Sequence, residues 1–71
     1  MKDFFIQQNQ DCNVCVGGVI SLMNFADDNI VVKVKRGSVE IKGKNLIIER
    51  FDENEITIVG RILGVMTNVN H

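Results

Sequence analysis

The sequence predicts an all-β domain, a small antiparallel β-sandwich or partly open barrel of about seven or eight short strands. Residues 30–65 consist of short apolar runs that end at glycine or at Asn and Asp turns, and Val and Ile, which favour strands, dominate these runs. The chain has 71 residues and no proline. A chain of this length forms a single domain, residues 1–71, in which we expect residues 66–71 to be a frayed tail.

The first third of the chain is predicted to form three strands. The first covers residues 3–8, and the second covers residues 12–16 and ends at a glycine pair. Val19, Leu22 and Phe25 have helical spacing, but the glycine pair before them and the Asp-Asp-Asn turn after them leave room for only seven residues. Because so short a helix is unstable, a strand, with a bulge, is the favoured interpretation.

The middle of the chain alternates between apolar and polar residues, which is typical of strands with one dry and one wet face. Ile30, Val32 and Val34 share one face. The chain then turns at residues 36–37, and the same alternation continues through residues 38–42. These residues predict two neighbouring strands that bury one face.

Turn-forming residues predict where the later strands begin and end. Gly43 and Asn45 tolerate positive φ angles and predict a hairpin centred on residues 42–45. Residues 52–55 predict a polar turn, and Gly60 predicts either a break between strands or a bulge.

Apolar residues next to each other in sequence give the clearest indication of assembly. The core is predicted to be aliphatic, with added phenylalanines: Phe4, Phe5, Phe25 and Phe51. Three runs in the C-terminal half are apolar on both faces: Leu46, Ile47 and Ile48; Ile58 and Val59; Ile62 and Leu63. A second sheet covers one face, and a partner subunit or a second protein would cover the other.

Composition and targeting signals exclude several function classes. The formal net charge is −1 and the sequence pI is about 5.7, so no overall field attracts nucleic acid or an anionic membrane. The N-terminus lacks the basic start and apolar run of a signal peptide, and no run approaches the roughly 18 apolar residues of a membrane-spanning helix. We therefore expect a cytoplasmic protein without a transmembrane segment.

Cys12 and Cys15 form the motif that most resembles site chemistry. A structural zinc site needs four Cys or His ligands, and His71 is the one histidine that could join the pair. Redox chemistry of the thioredoxin type requires a helix that begins at the motif, and none is predicted here. We expect packing cysteines on opposite faces of a strand, and neither a metal nor a cofactor.

A basic hairpin in residues 33–44 suggests a weak contact with phosphate groups. Its cations, offset by Glu40, are Lys33, Lys35, Arg36, Lys42 and Lys44. The hairpin contains no aromatic residue, so it lacks the stacking that single-strand binders use, and alternating lysines more often form a solvated face. The sequence therefore disfavours a nucleic acid as partner.

An acidic turn offers carboxylates that in principle serve acid–base catalysis or bind a cation. Its members are Glu49, Asp52, Glu53 and Glu55. The turn lacks the central glycine of an EF-hand, and no nucleophile constellation accompanies it. We therefore interpret it as a solvated turn and expect no enzymatic activity.

Three motif blocks occur in order along the chain: F-x-D-D-x-I-V in residues 25–31, G-x-V-x-I-x-G-x-x-L-x-I in residues 37–48, and E-I-x-I-x-G-x-I in residues 55–62. Together they resemble the YabP/YqfC family of sporulation proteins. The resemblance implies a small β-sandwich that is made in the mother cell of endospore-forming bacteria and is needed for spore development. It implies no enzymatic activity and no catalytic residues.

The sequence thus predicts a non-enzymatic sporulation protein that acts through self-assembly or by docking to a spore-development partner, which could be membrane-bound. The alternative hypothesis is a small nucleic-acid or anionic-lipid binding module that uses the basic hairpin. The predicted interaction surface comprises Lys33, Lys35, Arg36, Lys42, Lys44, Ile47, Val59 and Leu63.

Overall fold

The computed structural model describes residues 4–9 and 13–69, and these residues form an all-β fold. The strands are β1 (Phe5–Asn9), β2 (Asn13–Gly17), β3 (Val19–Phe25), β4 (Asn29–Val34), β5 (Gly37–Asp52) and β6 (Glu55–Val69). They form one open antiparallel sheet in the order β1-β2-β6-β5-β4-β3. The all-β prediction is confirmed, although the six strands of the described residues are slightly fewer than predicted.

The long hairpin of β5 and β6 joins two half-sheets. β4 pairs with the first half of β5, at residues 37–42, whereas β2 pairs with the first half of β6, at residues 55–59. The two half-sheets therefore lie at opposite ends of the hairpin. A hydrogen bond also joins β3 to the β5–β6 turn: the Val19 amide donates to the Asn54 carbonyl at 2.8 Å.

The buried core is entirely aliphatic and draws on both half-sheets. Its members are Val14, Val16, Val19, Ile30, Val32, Val34, Val39, Ile41, Leu46, Ile56, Ile58 and Ile62. The predicted inward faces of β4 and early β5 are therefore confirmed. The phenylalanine prediction is wrong in part: Phe4 packs partly buried against the core, but Phe5, Phe25 and Phe51 are exposed. Val and Ile side chains, together with Leu46, fill the core instead.

The predicted hairpin at residues 42–45 is wrong. β5 runs without interruption through this segment, and the hairpin turn lies at residues 53–54, within the predicted polar turn. Gly43 and Asn45 instead lie where β5 bends. Glycine and asparagine suit a bulge as well as a turn, since both devices need unusual backbone angles.

The predicted frayed tail is also replaced by strand. β6 continues to Val69, where Thr67 pairs with Val39 and Val69 pairs with Gly37. Residues 70–71 lie outside the described part of the chain, as do residues 3 and 12, which the sequence placed in the first two strands. The predicted bulged strand at residues 19–25 is confirmed as β3, with register shifts at two points.

Candidate interaction surface

The hairpin of β5 and β6 presents an outer face, on the side of the sheet away from the core. Alternation places three cross-strand pairs there: Lys42 opposite Gly64, Lys44 opposite Arg61, and Ile47 opposite Val59. Leu63, the additional residue of a bulge next to Gly64, is 60% exposed, and Ile47 is 59% exposed. Several predicted surface residues therefore share this face.

Backbone geometry creates the bend, which we call the elbow and define by Gly43, Asn45 and Gly60. Asn45 has φ 55° and Gly60 has φ 133°, and here two residues of β5, Asn45 and Leu46, oppose one residue of β6. A Cβ atom on Gly43 would lie 2.0 Å from the Arg61 carbonyl oxygen, so the two strands approach too closely for a side chain. The elbow turns Lys44 and Ile47 outward while Leu46 remains buried.

The β3–β4 turn fixes the elbow from the side. The Leu46 amide donates to the Asp27 carbonyl at 2.7 Å, and the Gly43 amide donates to the Asp28 carbonyl at 3.1 Å. These bonds satisfy two β5 amide groups at the bend. The exposed side chains of the elbow therefore project from a backbone that is held in place.

The outer face at the elbow carries positive charge that the described residues do not neutralise. Lys44 and Arg61 lie directly opposite each other, an arrangement of like charges that is unfavourable in a sheet. Among the described residues, neither of them nor Lys42 forms an ion pair. Arg61 was absent from the predicted set because its position opposite Lys44 depends on the register of the hairpin.

The structure does not bring all five predicted cations into one patch. Lys33 pairs with Ser38 at the end of β4, and the turn at residues 35–36 follows it, far along β5 from Lys44. Glu40 lies between, on the same outer face, and accepts a hydrogen bond from Nδ2 of Asn29. The basic hairpin is thus divided into a turn group and an elbow group.

The acidic turn borders an open depression of about 310 Å³. Its lining consists of Phe5, Gly18, Asp52, Glu53, Asn54 and Glu55. Asp52 forms an exposed ion pair with Arg50 at 3.3 Å, and Nδ2 of Asn54 donates to the Val19 carbonyl at 3.0 Å. Within residues 4–9 and 13–69, no three His, Cys, Asp or Glu side chains are grouped so that they could hold a metal ion.

Cys15 lies half-buried in β2, opposite Thr57. Its Sγ donates a weak hydrogen bond to Oε1 of Glu55 at 3.7 Å. Its neighbours Val14 and Val16 are fully buried on the other face, so Cys15 lies on the outer face. Cys12 lies outside the described residues, and the predicted division of the pair between two faces stays a prediction.

No helix in the described part of the chain is long and apolar enough to cross a membrane.

The chain matches a known protein family. The model of the YabP family matches residues 5–69, which is nearly the whole chain and includes all six strands. No curated protein and no solved structure matches.

Proposed function

The chain belongs to the YabP family, and we propose on this basis that it is a non-enzymatic sporulation protein that acts by binding other proteins. Family membership indicates a sporulation-related protein, and the family is not known as an enzyme family. Its binding partner is either a further copy of itself or a spore-development protein, including a membrane-bound one. We place this activity in the cytoplasm of the mother cell.

The observation that carries the proposal is the apolar character of the outer face at the elbow. Ile47 and Leu63 each expose more than half of their surface, and Val59 lies beside Ile47. Exposed aliphatic side chains that share one face of a strand pair are common in protein interaction sites. The core is already complete beneath them, since Leu46, Ile58 and Ile62 are buried on the other face. Stability of the fold therefore does not explain why these outer positions are apolar.

The charges of the same face suggest the chemistry of the partner. The Lys44–Arg61 pair lies between the Ile47–Val59 pair and Leu63, and Lys42 lies opposite Gly64. A partner segment with carboxylates beside apolar residues would relieve the repulsion between these cations. Such a contact combines apolar burial for affinity with ion pairs for orientation.

A second candidate function is binding to nucleic acid or to an anionic lipid surface through the basic hairpin. The cations of the elbow, which form no ion pair within residues 4–9 and 13–69, favour it. The separation of Lys33 from Lys44 along β5 and the lack of aromatic residues in the patch disfavour it. A gel shift that weakens steeply with salt, or sedimentation with anionic vesicles, would support this alternative.

Deletion of the gene from its host tests the sporulation role. Heat-resistant spores are counted in the deletion strain, in the parent and in a strain with a restored copy. We expect a large loss of spores that the restored copy reverses. Normal spore counts after deletion would contradict the proposal.

A further inference from the structure

The edge strand β3 carries a second exposed apolar group, separate from the elbow. β3 lies at one end of the sheet and pairs only with β4. Ile20, Met23 and Phe25 are 56%, 59% and 54% exposed, and Leu22 is 36% exposed. The strand at the other end, β1, is shorter and includes two glutamines. The sequence signal of this group is the uncharged run VISLMNF.

Two bulges leave two residues of β3 without a cross-strand partner on β4. Register shifts in the pairing of β3 with β4 give Ile20 and Met23 no cross-strand partner on β4. Their side chains therefore lack the lateral packing that stabilises other positions of the sheet. Natural edge strands commonly carry lysine, proline, inward-pointing charges or bulges against unwanted pairing; β3 has two bulges, but it contains no lysine, no proline and no charge.

The β3–β4 hairpin has opposite charges at its two ends. The connecting turn after Phe25 contains Asp27 and Asp28, both exposed. The other end, where Val19 pairs with Val34, continues into the turn with Lys35 and Arg36, also exposed. Between these ends β3 has no charge.

We propose that a second copy of this chain docks on β3, so that the two β3 strands lie antiparallel about a two-fold axis. At a two-fold axis, the residues in the middle of β3 lie close to the same residues of the other copy. β3 tolerates this arrangement because it carries no charge that would be repelled. The antiparallel direction also brings the acidic turn of each copy toward the basic turn of the other, twice. A parallel arrangement would oppose like charges. The elbow cannot pair with itself in this way, because its cations would repel.

The exposed area indicates a dimer of modest affinity. Four side chains of roughly 200 Å² each, about half exposed, present on the order of 400 Å² of apolar surface. A standard interface buries about 800 Å² per partner, so the charged turns and the strand backbone would have to supply the rest. We therefore expect dimerisation that depends on concentration and weakens with salt. The inference rests on the proposed role in protein binding, but it can be tested by itself.

Sedimentation velocity of the purified chain in reducing buffer, over a wide concentration range, tests the proposal. We expect a monomer–dimer equilibrium. Met23→Lys should raise the dissociation constant by at least about tenfold, because it places two like charges near the axis. Gln7→Lys, the same change of charge on β1, should leave the constant unchanged. Far-UV circular dichroism confirms that both variants are folded.

Charge reversal tests the orientation of the two copies. Asp28→Lys and Arg36→Asp should each weaken the dimer, and the double variant should restore it, since the charges are exchanged rather than lost. A chain that stays monomeric at every concentration would overturn the proposal and would favour a different protein as the occupant of β3. A dimer that Met23→Lys does not weaken would also overturn it. Either result leaves the spore-count test of the proposed function unaffected.

Discussion

Replacing Gly60 by alanine should destabilise the fold strongly, because the elbow depends on a backbone conformation that alanine rarely adopts. Gly60 has φ 133°, a region that is essentially restricted to glycine. The added Cβ would also lie 2.6 Å from the Asn45 carbonyl oxygen and 3.0 Å from the Leu46 Cα atom. Both of these are backbone atoms, so they cannot move aside without shifting β5.

The expected cost follows from these two effects. A residue held in such a region costs about 1–3 kcal/mol, and the backbone contact places Gly60→Ala toward the upper end, at about 2–3 kcal/mol. A domain of this size has a net stability of about 4–11 kcal/mol. The variant therefore loses a large fraction of its stability, and its Tm should fall by roughly 10–20 °C.

Gly64 provides a matched control in the same strand. An added Cβ there meets no atom within 4 Å, and Gly64 is not among the described glycines with positive φ. Gly64→Ala should therefore change stability by less than about 1 kcal/mol. Urea unfolding followed by far-UV circular dichroism measures both, since the chain has no Trp or Tyr for fluorescence. Equal stability of the two variants would refute the account of the elbow.

Four further substitutions test the core, the outer face, the turn and the cysteine. Ile58→Ala should cost about 2–5 kcal/mol because Ile58 is fully buried, whereas Ile47→Ala should change urea stability by less than about 0.5 kcal/mol; similar losses would contradict the assigned faces. Asn54→Ala removes the side-chain hydrogen bond to the Val19 carbonyl and should lower the free energy of unfolding in urea by about 1 kcal/mol. An unchanged free energy of unfolding would show that the bond does not form in solution. Cys15→Ser should leave stability within about 1 kcal/mol, and loss of folding would show a structural thiol.

The sequence predicted the parts of the fold in which local pattern determines structure. Alternation in residues 30–34 identified the buried face of β4, and Ile30, Val32 and Val34 are fully buried. The shortness of the segment between the glycine pair and the Asp-Asp-Asn turn excluded a helix in β3. Both inferences need only residues that are close in sequence.

The sequence predicted a break or a bulge at Gly60 but not the elbow as a whole, because the cause of the elbow lies in residues that are distant in sequence. Gly43 needs its lack of a side chain for the approach of the Arg61 carbonyl, and Asn45 lies against Gly60. In the sequence, a glycine and an asparagine two positions apart indicate a hairpin turn as well as they indicate a bulge. For the same reason the sequence did not predict Arg61 as part of the candidate surface, because its position opposite Lys44 depends on the bulges of the hairpin.

The proposed role of the outer face in spore formation is tested most directly by complementation of the deletion strain. The deletion strain is restored with the double variant Ile47→Glu and Leu63→Glu, or with Gln7→Glu as a matched control on an exposed polar position. Heat-resistant spores are counted at equal protein levels, after circular dichroism confirms that both proteins are folded. The account predicts that the control restores spores and the double variant does not. Full restoration by the folded double variant would contradict it.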